Sequence, residues 1–185
     1  MAAFSDGVIA ILITIMVLEL KVPHGPTWAD LATLSHVFYS YVISFIYLAI
    51  YWNNHHHLLH TVRHVNGRIL WANMYLLFWL SLVPFATAWL GENKFAELPT
   101  AVYGFSLLMP AVAYYILQTV ILRSHGSDSV LAKALGSDLK GKASLFLYAA
   151  AIGLAFINPL ISDGIYLFVA LMWLVPDRRI ERMVS

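Results

Sequence analysis

Ile69–Leu90 and Thr100–Leu122 are runs of 22 and 23 residues that contain no Asp, Glu, Lys or Arg. A helix rises 1.5 Å per residue, so each run is long enough to cross the roughly 30 Å hydrocarbon layer of a bilayer. Inside that layer water cannot satisfy backbone N–H and C=O groups, and a helix satisfies them internally. These two runs therefore predict an all-α membrane protein. The rest of the chain agrees: 61% of its residues are hydrophobic and 11% are charged, against roughly 25% charged in soluble domains.

Six segments are candidate spans: Phe4–Val22, Leu34–Trp52, Ile69–Leu90, Thr100–Leu122, Ser144–Ile161 and Gly164–Val175, the last of them short. Pro23-His24-Gly25-Pro26 ends the first, because proline cannot continue a helix. Gly91-Glu92-Asn93-Lys94 follows the third, and Ser162-Asp163-Gly164 predicts a tight turn that makes the last two a hairpin. Pro84 and Pro110 lie within spans and predict kinks, which membrane helices tolerate when neighbours satisfy the freed carbonyl. No pattern is repeated, so residues 1–185 read as one six-helix transmembrane domain. The first apolar run lacks a basic leader and a small-residue cleavage site, and reads as a permanent span rather than a signal peptide.

Charge sets the orientation. Arg63, Arg68, Arg123, Lys133, Lys140, Lys142, Arg178, Arg179 and Arg182 fall in connections on one side, and only Lys21 and Lys94 on the other. Both termini are expected in the cytoplasm, in a multi-pass membrane protein in contact with lipid. There is no basic run that would suit nucleic acid, and with no cysteine there are no disulfides or thiolate metal sites.

Phe4-Ser5-Asp6-Gly7 heads the first span. A carboxylate at the lip of a span is costly and marks a functional site by default. Serine and aspartate also suit a helix N-cap, where a carboxylate meets the positive helix end. With about 100° per residue, Phe4, Gly7, Ile11, Thr14, Ile15 and Leu18 fall within roughly 60° of Ile11, and Asp6 lies on the far side. The helix is apolar all round, so hydrophobicity does not say which face meets other helices. The plain expectation for Thr14 is a hydroxyl bonded back to its own helix.

Phe4-Ser5-Asp6, followed by Gly7-Val8-Ile9-Ala10-Ile11, resembles the first-helix signature of the endosomal and lysosomal potassium leak channel family, especially its prokaryotic six-helix members. Trp52, Asn54, His55 and His56, then Leu70, Asn73, Pro84, Phe85 and Thr87, resemble that family's second and third helices. The signature's arginine, four residues before the phenylalanine, falls before Met1. The resemblance implies a homotetramer with four first helices around a central pore that passes potassium ions. It also implies an aliphatic constriction at Ile11, a hydroxyl layer at Thr14 and a second apolar ring at Leu18, with Ile15 on the same face. Phe4, Ser5, Asp6, Trp52, His55, His56 and Asn73 then form a structural network holding the pore helix, with Asp6 off the ion path. No TVGYG-type filter is present, so moderate selectivity is expected. Glu19 is expected to pair with Lys21 or face solvent.

His55, His56, His57, His60 and His64 follow the second span. His56/His60 and His60/His64 have the i,i+4 spacing that presents two metal ligands on one helix face. Carboxylates are distant in sequence, the nearest being Asp30 and Glu92, although Asp6 would reach the same level. Interfacial hydrogen bonding, or a network with Asp6, Trp52 and Asn73, is the reading adopted, with no metal and no cofactor. Tyr39, Tyr41, Tyr47, Tyr51, Trp71, Trp79 and Trp89 suit interfacial belts and helix packing. The expected function is a potassium-selective leak channel. An ion- or proton-coupled transporter and a histidine–metal membrane enzyme are the alternatives. The first wants ionisable groups at mid-membrane and inverted repeats; for the second, no nucleophile elbow, phosphate loop or paired intramembrane carboxylate is present.

Overall fold

A computed structural model describes residues 1–62, 64–125 and 138–174. The charges at Arg63, Lys133, Arg178, Arg179 and Arg182, and residues 126–137 of the long connection, lie outside the described residues. Helix α1 (Ala2–Ile15) starts the chain and tightens into a 3₁₀ turn at Met16–Glu19. Leu20 is already extended, so the predicted end at Val22 comes three residues early, ahead of Pro23.

Helix α2 (Trp28–Ala32) is a short element that the sequence reading left in a connection. A capping box forms it: the Asp30 amide donates to Thr27 Oγ1, and the Thr27 amide donates back to the Asp30 carboxylate at 3.0 Å. The Thr27 hydroxyl, and then the Thr27 amide, hold the Asp30 carboxyl below its ordinary value. Helix α3 (Ser35–His60) has 26 residues, two turns more than predicted. That is about 39 Å of helix, more than the roughly 30 Å hydrocarbon layer needs, and its last turns carry the histidines.

The third predicted span is two helices, α4 (Gly67–Ser81) and α5 (Val83–Glu92), joined at Leu82. Pro84 takes a first-turn position in α5, where a missing N–H costs nothing. Helix α6 (Glu97–His125) continues past Pro110, which lies inside it. Helix α7 (Leu139–Leu154) starts at Asp138, whose carboxylate accepts from the Gly141 amide at 3.1 Å.

Helix α8 (Pro159–Leu174) corrects the predicted hairpin. The turn lies at 155–158, and Ser162-Asp163-Gly164 is inside α8 with Ser162 and Asp163 buried. Proline as first residue, with the Asn158 carboxamide oxygen accepting from the Leu160 amide at 3.0 Å, is a stronger helix start than Ser-Asp-Gly is a turn. The Ser162 hydroxyl donates across to the Ala151 carbonyl at 2.7 Å and locks α8 to α7.

The described residues are all-helical in their regular structure and run in six long helical segments: α1, α3, α4–α5, α6, α7 and α8. Ala2–Glu19, Gly67–Glu92 and Glu97–Ser124 are each long and apolar enough to cross a membrane by themselves, and Pro159–Leu174 is a shorter apolar helix. Two buried clusters organise the packing. One joins Ile9, Leu12 and Met16 of α1 to Leu48 and Leu58 of α3, Ile69, Leu76 and Leu80 of α4 and Leu117 of α6. The other gathers Tyr47, Tyr103, Tyr148 and Tyr166 with Leu90, Leu107 and Val169. Its phenols are paired as hydrocarbon burial demands. Tyr47 donates to the Tyr166 carbonyl at 2.5 Å, Tyr166 to the Thr100 carbonyl at 3.3 Å, and Tyr103 lies 2.9 Å from Ser44, which also accepts from Thr87 at 2.7 Å. Helix α1 packs on α3 and α4 at one edge of this bundle.

Candidate functional site: the first helix and its polar anchor

Helix α1 has two unlike sides. Ser5, Ile9, Leu12 and Met16 recur at intervals of four, three and four, which is one stripe of a helix, and all are buried. Phe4, Gly7, Ile11, Thr14, Ile15 and Leu18 are exposed, and so are Ala3, Ala10 and Val17, so the exposed side is wider than the face centred on Ile11. Ile11 is 59% exposed and Leu18 79%, values far from those of a core residue. Leu18 stays on the Ile11 side even though the helix tightens, because a 3₁₀ turn adds about 120° per residue and brings it under Ile15. The exposed side is thus a continuous apolar strip with one hydroxyl in it.

The Thr14 hydroxyl lies 3.0 Å from the carbonyls of both Ala10 and Ile11 and donates to its own helix, as expected. This does not spend its coordinating capacity. A hydroxyl has one proton and two lone pairs, and donating the proton inward leaves the oxygen free to face a cation. At the far end the strip opens into a groove of ≈ 530 Å³ lined by Ile15, Leu18, Pro84, Phe85, Ala88 and Trp89, with Glu19 and Glu92 on its rim. Lys21 pairs with Glu92 of α5, not with Glu19, and this pairing raises the lysine above its ordinary value. Glu19 is exposed.

Ser5 and Asp6 do not cap α1. Met1 is the N-cap residue and has no side-chain cap bond, so both polar residues lie inside the first turns and reach sideways. Ser5 points into the bundle. Its hydroxyl accepts from Asn73 Nδ2 at 2.9 Å, and Asn73 Oδ1 accepts from His55 Nε2 at 2.7 Å. All three groups are buried, so α1, α4 and α3 are tied by a chain of hydrogen bonds shielded from solvent. Asp6 makes a second, half-exposed tie. Trp52 Nε1 donates to Asp6 Oδ1 at 3.0 Å, and His56 Nδ1 lies 3.8 Å from Asp6 Oδ2. His56 continues outward to His60, their Nε2 atoms 3.0 Å apart.

The structure thus brings together Ser5, Asp6, Trp52, His55, His56 and Asn73, and sets Phe4 apart on the exposed side. Asp6 is off the Ile11 strip. Among the described residues no group of three or more His, Asp or Glu is placed to hold a metal ion. Sequence reasoning missed the buried Thr87–Ser44–Tyr103 chain that holds α5, α3 and α6 together. Hydroxyl residues at polar-poor positions of three spans were the available signal.

Residues 1–84 match the family described as the endosomal/lysosomal potassium channel TMEM175. A potassium channel of Chryseobacterium sp. (strain P1-3) is 55% identical over 183 residues, covering 99% of this chain and 95% of that protein. A potassium channel of Streptomyces collinus (strain DSM 40733 / Tue 365) is 30% identical over 84% of this chain and 81% of its own. The crystal structure of a lysosomal potassium-selective channel TMEM175 homolog from Chamaesiphon minutus superposes with a TM-score of 0.84 at 28% identity, over 95% of both chains. This chain is accordingly a member of the TMEM175 potassium channel family.

Proposed function

We propose that the chain is a potassium-selective leak channel that works as a homotetramer, with four α1 helices enclosing one ion path. The carrying observation is the strip from Ile11 to Leu18. In a member of a potassium channel family, the helix held by a buried polar anchor on one side leaves a charge-free, uncovered strip on the other. The open groove beside Leu18 suits packing by a neighbouring copy.

The mechanism follows from the residue types. A ring of four Ile11 side chains makes a narrow apolar tube, which holds water poorly and closes by dewetting. A small dilation or rotation of α1 opens it, and the Ser5–Asn73–His55 and Asp6–Trp52 ties set its resting position. Thr14 oxygens, their protons turned to the backbone, replace part of the ion's water shell one turn further on. Permeating potassium is the substrate, and no cofactor enters the mechanism. Arg68, Arg123, Lys140 and Lys142 share the α1-start end of the bundle by helix alternation, which favours cytoplasmic termini in a prokaryotic plasma membrane. The whole of 1–185 acts as one six-helix unit.

Purified protein in liposomes is expected to pass potassium, and Ile11→Asn to raise that leak by wetting the constriction. The reading fails if Ile11 substitutions leave flux unchanged while substitutions on α3 alter it.

A further inference from the structure

We propose that His56 and His60 are the two protein ligands of a divalent transition-metal site, with Asp6 as the carboxylate that orients His56. The two residues lie one turn apart in the last turns of α3, and His60 is exposed. Their Nε2 atoms are 3.0 Å apart. Two nitrogens bound to one zinc ion at about 2.0–2.1 Å and roughly 90–110° stand about 3.0–3.4 Å apart, so the pair already has nearly the spacing of a chelate. The ring centroids are 4.5 Å apart and the rings are inclined by 69°. That 3.0 Å contact is an N–H···N hydrogen bond, so one Nε2 carries the shared proton; a metal ion takes its place between the two nitrogens as that proton moves to the other nitrogen of its ring.

The remaining nitrogen of His56 decides the tautomer. Nδ1 is enclosed and has no hydrogen-bond partner, and the nearest acid is Asp6 Oδ2 at 3.8 Å. The field of a carboxylate there favours a proton on Nδ1, which leaves Nε2 as the ligating atom. A histidine with a carboxylate behind it is the usual outer arrangement of a metal-bound imidazole. The carboxylate that sequence spacing could not supply from α3 comes from α1. Imidazole ligands suit Zn²⁺ and its neighbours Co²⁺, Ni²⁺ and Cu²⁺. With two protein ligands, water completes the shell. Because Asp6 also accepts from Trp52, a filled site ties the start of α1 more firmly to α3. Metal binding here stands apart from the ion path: it holds or fails whether or not α1 lines a pore.

The test is titration of the purified protein with ZnCl₂ by calorimetry, beside the variants His60→Ala, Asp6→Asn, His57→Ala and His64→Ala. Wild type is expected to take one Zn²⁺ per chain. His60→Ala loses that equivalent, and Asp6→Asn weakens it by about 10–100-fold, the usual effect of removing an orienting carboxylate. His57→Ala and His64→Ala leave it unchanged. If His60→Ala does not elute as wild type does, His60→Gln keeps the bulk without the imidazole and replaces it. Binding that is absent in wild type, unchanged in the His60 variant, or lost with His57 instead overturns the proposal.

Discussion

Replacing Asn73 by alanine removes the middle link between α1 and α3. Asn73 is 2% exposed, and its two partners, Ser5 and His55, are fully buried. The change orphans two groups, but not equally. Ser5 begins one turn from the Met1 carbonyl, to which its amide already donates at 3.1 Å, and its hydroxyl can bond back there. His55 has no such fallback. Its Nδ1 is already without a partner, so losing Asn73 Oδ1 leaves the whole imidazole without a hydrogen bond. A buried polar group left unsatisfied costs about 1–3 kcal/mol. That is the predicted loss for Asn73→Ala, roughly a 5- to 150-fold drop in the folded-to-unfolded ratio. Ser5→Ala leaves His55 paired and is predicted to cost less. The assay is denaturant unfolding in mild detergent, followed by tryptophan fluorescence, with potassium leak measured on the same preparations. An Asn73→Ala change of less than about 0.5 kcal/mol, the size of an ordinary surface substitution, refutes the view that this chain of hydrogen bonds holds α1.

Asp6 and Trp52 are predicted to couple in a double-mutant cycle of Asp6→Asn and Trp52→Phe. The coupling should fall at the low end of about 1.5–3 kcal/mol for a bond to a charged group, because about a third of the carboxylate side chain is exposed. Gly104→Ala is predicted to lower the unfolding midpoint. A Cβ there runs into the Tyr166 hydroxyl and lies 2.9 Å from Ile152 Cγ1, so overpacking between α6 and α8 costs about 1–3 kcal/mol. Asp30 gives a pH dependence of known sign. Its carboxyl is depressed in the folded state by the Thr27 hydroxyl and amide, so its contribution to α2 is complete above the ordinary aspartate value near 3.9. It is lost as pH falls through the lower folded value. Hydrogen exchange of the α2 amides is expected to speed up over that acid range in wild type, and to show no such step in Asp30→Asn.

The spans were legible because charge-free runs of bilayer length admit few other folds, and every long helix contains most of a predicted span. The boundaries were not. Asn53–His57 are polar and read as a connection, yet nothing in them breaks a helix, so α3 continues to His60. Ser162-Asp163-Gly164 has turn composition, but Asn158-Pro159 four residues earlier starts α8 first and carries the trio inside it. Helical periodicity grouped Phe4, Gly7, Ile11, Thr14, Ile15 and Leu18 on one face, because one stripe of a helix is a local property, but an apolar helix did not say that this face is the exposed one. The Ser5–Asn73 contact joins residues 68 apart, and Lys21–Glu92 residues 71 apart. No spacing rule reaches across helices at that separation. The residues of the anchor came from family resemblance, and only the packed helices say which atom meets which.

Whether the Ile11 side of α1 faces the ion path can be read with a single introduced thiol, because the chain contains no cysteine. Ile11→Cys introduces a single thiol on the exposed strip, and Ile9→Cys a single thiol on the buried stripe of the same helix. In potassium-loaded liposomes, a thiol-reactive trimethylammonium reagent is predicted to bring flux through Ile11→Cys to background, with high potassium slowing the reaction, and to leave Ile9→Cys flux intact. Ile11→Cys protein that mass spectrometry shows to be fully labelled, and that still conducts as before, contradicts the account.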